Sequence, residues 1–142
     1  MKHQIFIPIM PKAKQSTRFF TRNGNVFTHK DPDVSKAEKE FRKLLVMTLP
    51  KPIIKYQKFV RIKSLVYHFP PLKNTSKYKM KHFDAGESEM KTTKPDLDNL
   101  NKFTLDCMKD ILYDDDAIIT YIGGNSKVYS KATGIYIEME GM

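Results

Sequence analysis

The sequence predicts an α+β fold: one domain spanning residues 1–142, in which a mixed β-sheet carries two main helices. Three observations lead there. Apolar or alternating runs stand near both ends of the chain and at residues 59–69. Two stretches with helical spacing lie between them. The order does not repeat the strand–helix unit of a wholly parallel sheet. A length of 142 residues and 40% hydrophobic content support a single modest core.

Residues 4–9, QIFIPI, are apolar and β-prone and read as a first strand ahead of Pro11. Lys12, Lys14, Arg18 and Arg22 follow, interleaved with Phe19 and Phe20. Asn23-Gly24-Asn25 then separates residues 17–22 from 26–28, a hairpin signal. Basic and aromatic side chains on such a hairpin suit phosphate and base contacts, and equally suit a solvated strand face. Ser35-Lys36-Ala37-Glu38 reads as a capping box opening a helix to about Thr48, with Ala37, Phe41, Leu44, Leu45 and Thr48 as its buried stripe.

Residues 59–69 alternate as a long strand, with Val60, Ile62, Ser64, Val66 and His68 on one face and Phe59, Arg61, Lys63, Leu65, Tyr67 and Phe69 on the other. A lone strand histidine such as His68 is more often satisfied locally than a metal ligand. Residues 70–93 lose periodicity and read as a long basic loop, suited either to closing over a phosphate backbone or to being a bare insertion. Toward the end, 117–122 and 127–131 are β-prone, Gly123-Gly124-Asn125 permits a bend or bulge, and 135–140 alternates as a closing strand.

Charge is distributed unevenly. Seven of the 16 acidic residues, with only two basic ones, lie between Asp96 and Asp116, so that segment carries −5 and the remainder +14. The basic remainder, with a net charge of +9 overall, fits a protein that meets nucleic acid or another anionic surface. The single cysteine, Cys107, excludes an internal disulfide and suits a reducing cytoplasm. Neither a signal peptide nor an apolar run approaching the ~20 residues of a membrane span is evident.

The acidic stretch holds the chemistry. Lys94-Pro95 precedes Asp96, which reads as the N-cap of a helix of about four turns reaching Ile111. Leu97, Leu100, Thr104, Met108 and Ile111, with Cys107 beside them, form its buried face. Asp98, Lys102, Asp106 and Asp110 form a separate stripe at steps of four. Asp96 and Asp98 in the first turn, joined by a carboxylate from Asp114-Asp115-Asp116, would make a three-carboxylate pocket matched to Mg²⁺, which takes few protein ligands and keeps several waters. Helix N-terminal stabilisation and an exposed turn are the simpler account of either feature alone. The pattern fits no EF-hand, Gly-rich phosphate loop, zinc spacing or Ser/His/Asp grouping.

At these residues the chain resembles the RusA family of Holliday junction resolvases, whose pattern joins K-P-D-x-D-N-L, a Lys, L-D-x-L and a later D-D before a strand. Here these are Lys94-Pro95-Asp96-Leu97-Asp98-Asn99-Leu100, Lys102, Leu105-Asp106-Cys107-Met108 and Asp115-Asp116. The flanks resemble the family too, from the basic residues around Arg18 to a closing strand pair with Lys127. The resemblance implies a RusA-like fold and a homodimeric crossover junction endodeoxyribonuclease, with Mg²⁺ (or Mn²⁺) held by Asp96, Asp98 and Asp116 and with Lys102 as catalytic lysine.

Lys12, Lys14, Arg18, Arg22, Lys94 and Lys127 are the candidate DNA contacts, branched DNA is the expected partner, and the expected setting is the cytoplasm of a bacterial or phage-encoded system. The expected reaction is hydrolysis of the scissile phosphodiester to a 5′-phosphate and a 3′-hydroxyl, in paired symmetric nicks serving recombination and repair. Three departures stand out: Ile118 where the family often has Gln, Asp110 in place of a helix-ending Gly, and the length of residues 70–93. Two other functions fit the same residues, a non-catalytic basic DNA-binding protein with a structural ion and a nuclease for other branched DNA. Metal-dependent nicking excludes the first. Symmetric, ligatable nicks at a four-way junction argue against the second.

Overall fold

The computed structural model describes residues 1–14, 18–29 and 31–142, the side chains of 18–20 and 27–29 excepted. Strand β1 is Lys2–Ile7, and β2 (Arg18–Arg22) and β3 (Asn25–His29) follow. Helix α1 (Pro32–Thr48) leads to β4 (Val60–Phe69), α2 (Lys77–Asp84) and β5 (Glu89–Met90). Helix α3 (Leu97–Met108) precedes a 3₁₀ turn, Asp116–Ile118, and strands β6 (Ile119–Ile122), β7 (Asn125–Tyr129) and β8 (Gly134–Gly141) close the fold. The expected α+β domain with a mixed sheet is observed. Its main sheet runs β1-β8-β4-β7-β5 with β6 also on β4, while β2 and β3 form a separate hairpin.

That hairpin turns where Asn23-Gly24 places it. Both residues have positive φ, +52° and +77°, as a two-residue turn matched to strand twist requires. Thr17, included in the expected hairpin, lies outside the described residues.

Helix α1 begins earlier than Ser35. Asp31 is its N-cap, accepting from the Asp33 backbone N–H at 2.9 Å, and Pro32 fills the first helical position, where a missing N–H costs nothing. Val34, Phe41 and Leu45 are buried, whereas Thr48 is exposed and donates to the Leu44 carbonyl at 2.8 Å. Leu49, just past the end, is buried in its place.

Strand β4 is the centre of the sheet, antiparallel to β8 and parallel to β6 and β7. Its alternation breaks once. Against β8, Ile62 faces Met139 and Ser64 faces Glu138, leaving Lys63 as a bulge without a partner. The extra residue shifts the phase, so Val60 and Ile62 before it and Leu65, Tyr67 and Phe69 after it are buried together. This corrects the expected two-face split, which holds only up to Lys63.

The neighbouring strand bends at the same height. Gly123 N–H donates to the Ile62 carbonyl, Leu65 N–H donates to the Gly124 carbonyl, and β6 gives way to β7 there. Gly124 has φ +51°, and a Cβ on it would lie 3.1 Å from the Lys63 carbonyl oxygen.

Residues 70–93 are not a continuous loop. Ser76 caps α2 by accepting from Lys79 N–H, and Phe83 anchors the helix as its one buried residue. Six of its eight residues are Lys, His, Asp or Tyr, which hides the helix from a reading of apolar periodicity.

Sheet, α1 and α3 share one hydrophobic cluster, with Phe41 of α1 set edge-on to Phe103 of α3 at 6.1 Å. The opposite sheet surface is polar, with Arg61 and Lys63 both near Glu140. No helix among the described residues is long and apolar enough to cross a membrane.

Candidate active site

Helix α3 is the element that positions the acidic residues. Asp96 is its N-cap in an extended conformation, and its carbonyl accepts the first helical bond from Leu100 N–H at 3.1 Å. Its carboxylate makes no capping bond; instead Lys94 Nζ donates to Oδ2 at 2.8 Å. That bond, with the charges of Lys94 and Lys127, holds the Asp96 carboxyl below the usual carboxylate range. Asp98 and Lys102 lie exposed on successive turns of one stripe. Asp106 on that stripe is engaged by Lys14 Nζ at 2.8 Å, and Lys14 also meets Glu38 at 3.3 Å.

The helix ends at Met108, short of Ile111, because Asp110 takes the left-handed conformation at φ +69°. The buried face keeps Leu100, Thr104, Cys107 and Met108 and adds Phe103. Leu97 and Ile111 are only partly buried.

The Asp triplet divides by role. Asp114 is paired with Lys55 at 2.6 Å. Asp115 caps the 3₁₀ turn by accepting from Ala117 N–H. Asp116 opens that turn, exposed, and among the described residues its side chain makes no hydrogen bond or ion pair, as is also true of the side chains of Asp98 and Lys102.

Three further residues, none of them apparent as helix anchors in the sequence, fix the start of α3 to the sheet. Tyr67 OH donates to Asn101 Oδ1 at 2.8 Å, Asn101 Nδ2 donates to Asn125 Oδ1 at 2.7 Å, and Asn125 Nδ2 donates to the Leu65 carbonyl at 2.9 Å. Burial raises the Tyr67 phenol well above its ordinary value, so it stays a donor. Lys127 Nζ donates to the carbonyls of Thr93 and Pro95 at 2.7 and 2.8 Å, and so clamps the segment that leads into Asp96.

Of the candidate DNA contacts, Lys127 and Lys94 flank this site and Lys14 is held in internal ion pairs. Lys12 is half-buried, Arg22 is exposed beside the hairpin turn, and the Arg18 side chain lies outside the described residues. The three expected metal carboxylates suit a hard divalent cation in chemistry. As the side chains stand, no group of three or more His, Cys, Asp or Glu among the described residues is arranged to hold a metal ion. Asp96 instead carries Lys94 as its positive partner.

Comparison with known proteins adds one finding. The model of a family described as endodeoxyribonuclease RusA matches residues 8–140. No curated protein matches the chain.

Proposed function

The chain belongs to the RusA family of endodeoxyribonucleases, and from that premise we propose that it cleaves four-way DNA junctions by paired symmetric nicks, as a Mg²⁺-dependent homodimer. The family match across residues 8–140 carries the reading, and the acidic residues at the start of α3 are the ones we assign to the reaction. Asp96, Asp98 and Asp116 are the carboxylates that would hold the ion, and Mn²⁺ suits the same oxygen donors. Bound there, Mg²⁺ supplies Lewis acidity toward a phosphodiester oxygen and acidifies a water.

The remaining roles fall to the chain's own groups. Lys102, exposed one turn beyond Asp98, would meet the negative charge that gathers on phosphate in the transition state. Lys127 keeps the Thr93–Pro95 segment, and with it Asp96, in place. Lys94 is the present positive partner of the Asp96 carboxylate, so a cation binding there would exchange one positive partner for another. The large positive excess outside residues 96–116 attracts the DNA backbone without reading sequence.

The decisive experiment incubates the purified chain with a synthetic four-way junction in Mg²⁺, Mn²⁺, Ca²⁺ or EDTA. Ligatable nicks at symmetric positions, present with Mg²⁺ and absent with EDTA, are expected. Asp96→Asn and Asp98→Asn should each abolish them while junction binding persists. Cleavage unchanged in either variant removes that carboxylate from the mechanism, and binding without any metal-dependent nick leaves only a DNA-binding scaffold.

A further inference from the structure

Residues 70–93 build a cleft that the nuclease reading does not use. It has a volume of about 380 Å³ and opens between α2 and the end of β7. Leu72, Phe83 and Tyr129 supply its apolar wall, and Asn74, Lys79 and Glu89 supply polar groups. That volume lies within the ~300–1,000 Å³ of small-ligand sites, too large for a bridging water alone.

The cleft is coupled to the start of α3. Tyr129 OH lies 3.2 Å from Lys91 Nζ and 3.4 Å from Thr93 Oγ1. The Thr93 carbonyl accepts from Lys127, which also holds Pro95 next to Asp96.

We propose that this cleft is a nucleobase subsite, taking one unstacked base of the DNA strand that passes the start of α3, with Tyr129 as stacking surface and Asn74 and Glu89 reading the base edge. The inference rests on the DNA-cleaving function proposed above. Three observations favour a base over other occupants. Lys79 and Glu89 stand 3.5 Å apart and offset each other's charge, so the cleft suits a neutral ligand and would set Glu89 against a phosphate. A carboxylate and an amide together match a base with an exocyclic amino group, since the carboxylate only accepts hydrogen bonds and the amide both donates and accepts. The surrounding chain is polycationic, with six Lys against three acidic residues across 70–94, which holds a strand's phosphates outside while a base turns in.

A thermodynamic cycle tests this. Junctions carrying a single abasic site, stepped outward from the crossover, are bound in EDTA to the unaltered chain and to Tyr129→Leu and Asn74→Ala. At one position, loss of the base should weaken the unaltered chain about tenfold, the scale of one base stacked on an aromatic ring. The same loss should weaken each variant less than twofold. A merely structural role for Tyr129 lowers affinity equally for intact and abasic junctions, and equal losses overturn the proposal. Asn74, at the rim of the cleft, gives an independent variant should Tyr129→Leu disturb β7. If no position shows a base effect while the chain still cleaves junctions, the subsite falls alone. If the chain binds no branched DNA, the function falls and the subsite with it.

Discussion

Lys127 Nζ donates to the Pro95 carbonyl at 2.8 Å, so a strand in the main sheet fixes the residue immediately before the N-cap of α3. Its second bond, to Thr93, extends the hold across the whole approach to the helix. A residue expected to touch DNA is thereby also a positioning residue for Asp96.

Lys127→Met should therefore lower the cleavage rate more than it lowers junction affinity. Loss of two charge-assisted bonds at a partly exposed site costs about 1–2 kcal/mol of local order, seen as faster amide exchange over residues 93–98. A purely electrostatic role predicts the opposite pattern, with weakened binding and an unchanged rate once the junction saturates the protein.

Lys94→Met removes the cation that now satisfies Asp96. Titration calorimetry with Mg²⁺ and no DNA should show a few-fold gain in affinity, limited by the exposure of the pair. Identical affinity in the two proteins would mean that Asp96 is not a ligand.

Asp110 holds φ +69°, a conformation that costs a non-glycine residue about 1 kcal/mol. Asp110→Gly should raise the urea midpoint by ~0.5–1 kcal/mol equivalent, and Asp110→Val should lower it. Equal midpoints would mean that the backbone there is relaxed.

His3 and His68 both have pKa values lowered from 6.5, chiefly by burial. Each folded-state imidazole resists protonation, so the unfolded chain binds more protons as pH falls through about 6.5, and stability falls with it. The loss levels off once pH is below the folded-state values. Thermal unfolding followed from pH 8 to 5 should show a falling midpoint, and His68→Gln should flatten that slope in part. A midpoint that rises toward acid would contradict the assignment.

Phe103→Ala should destabilise by about 3–5 kcal/mol, because the ring is fully buried against Phe41 and its removal leaves a cavity in the core. Chemical denaturation measures it, and a loss below 1 kcal/mol would mean that the α1–α3 contact is not a core contact.

The sequence announced α3 and its acidic first turn, because local spacing and a long ordered motif encode them, but it carried the helix to Ile111, past the left-handed break at Asp110. It announced the Asn23-Gly24 turn for the same reason. It did not announce Asn101, Asn125 and Tyr67 as a unit, since they meet only when β4, β7 and α3 are assembled. Phe103 was hidden because a stripe drawn through Leu100, Thr104 and Met108 is narrower than the surface α1 and the sheet together cover. Helix α2 was hidden because its lysines face water and a single phenylalanine anchors it. Of the Asp triplet, the assignment of Asp114 to Lys55 and of Asp115 to a cap needed the folded chain, and leaves Asp116 as the member without a structural task.

The bulge at Lys63, which has no register partner on β8, has a lasting implication for how this chain can vary. Parity along the strand is what keeps Val60 and Ile62 on the same side of the sheet as Leu65, Tyr67 and Phe69. Excising that one lysine would straighten the ladder and present one half of the strand's greasy side chains to water, whereas swapping it for another polar residue would leave the count intact. Homologues should thus drift freely in what occupies position 63 and hardly at all in whether something does.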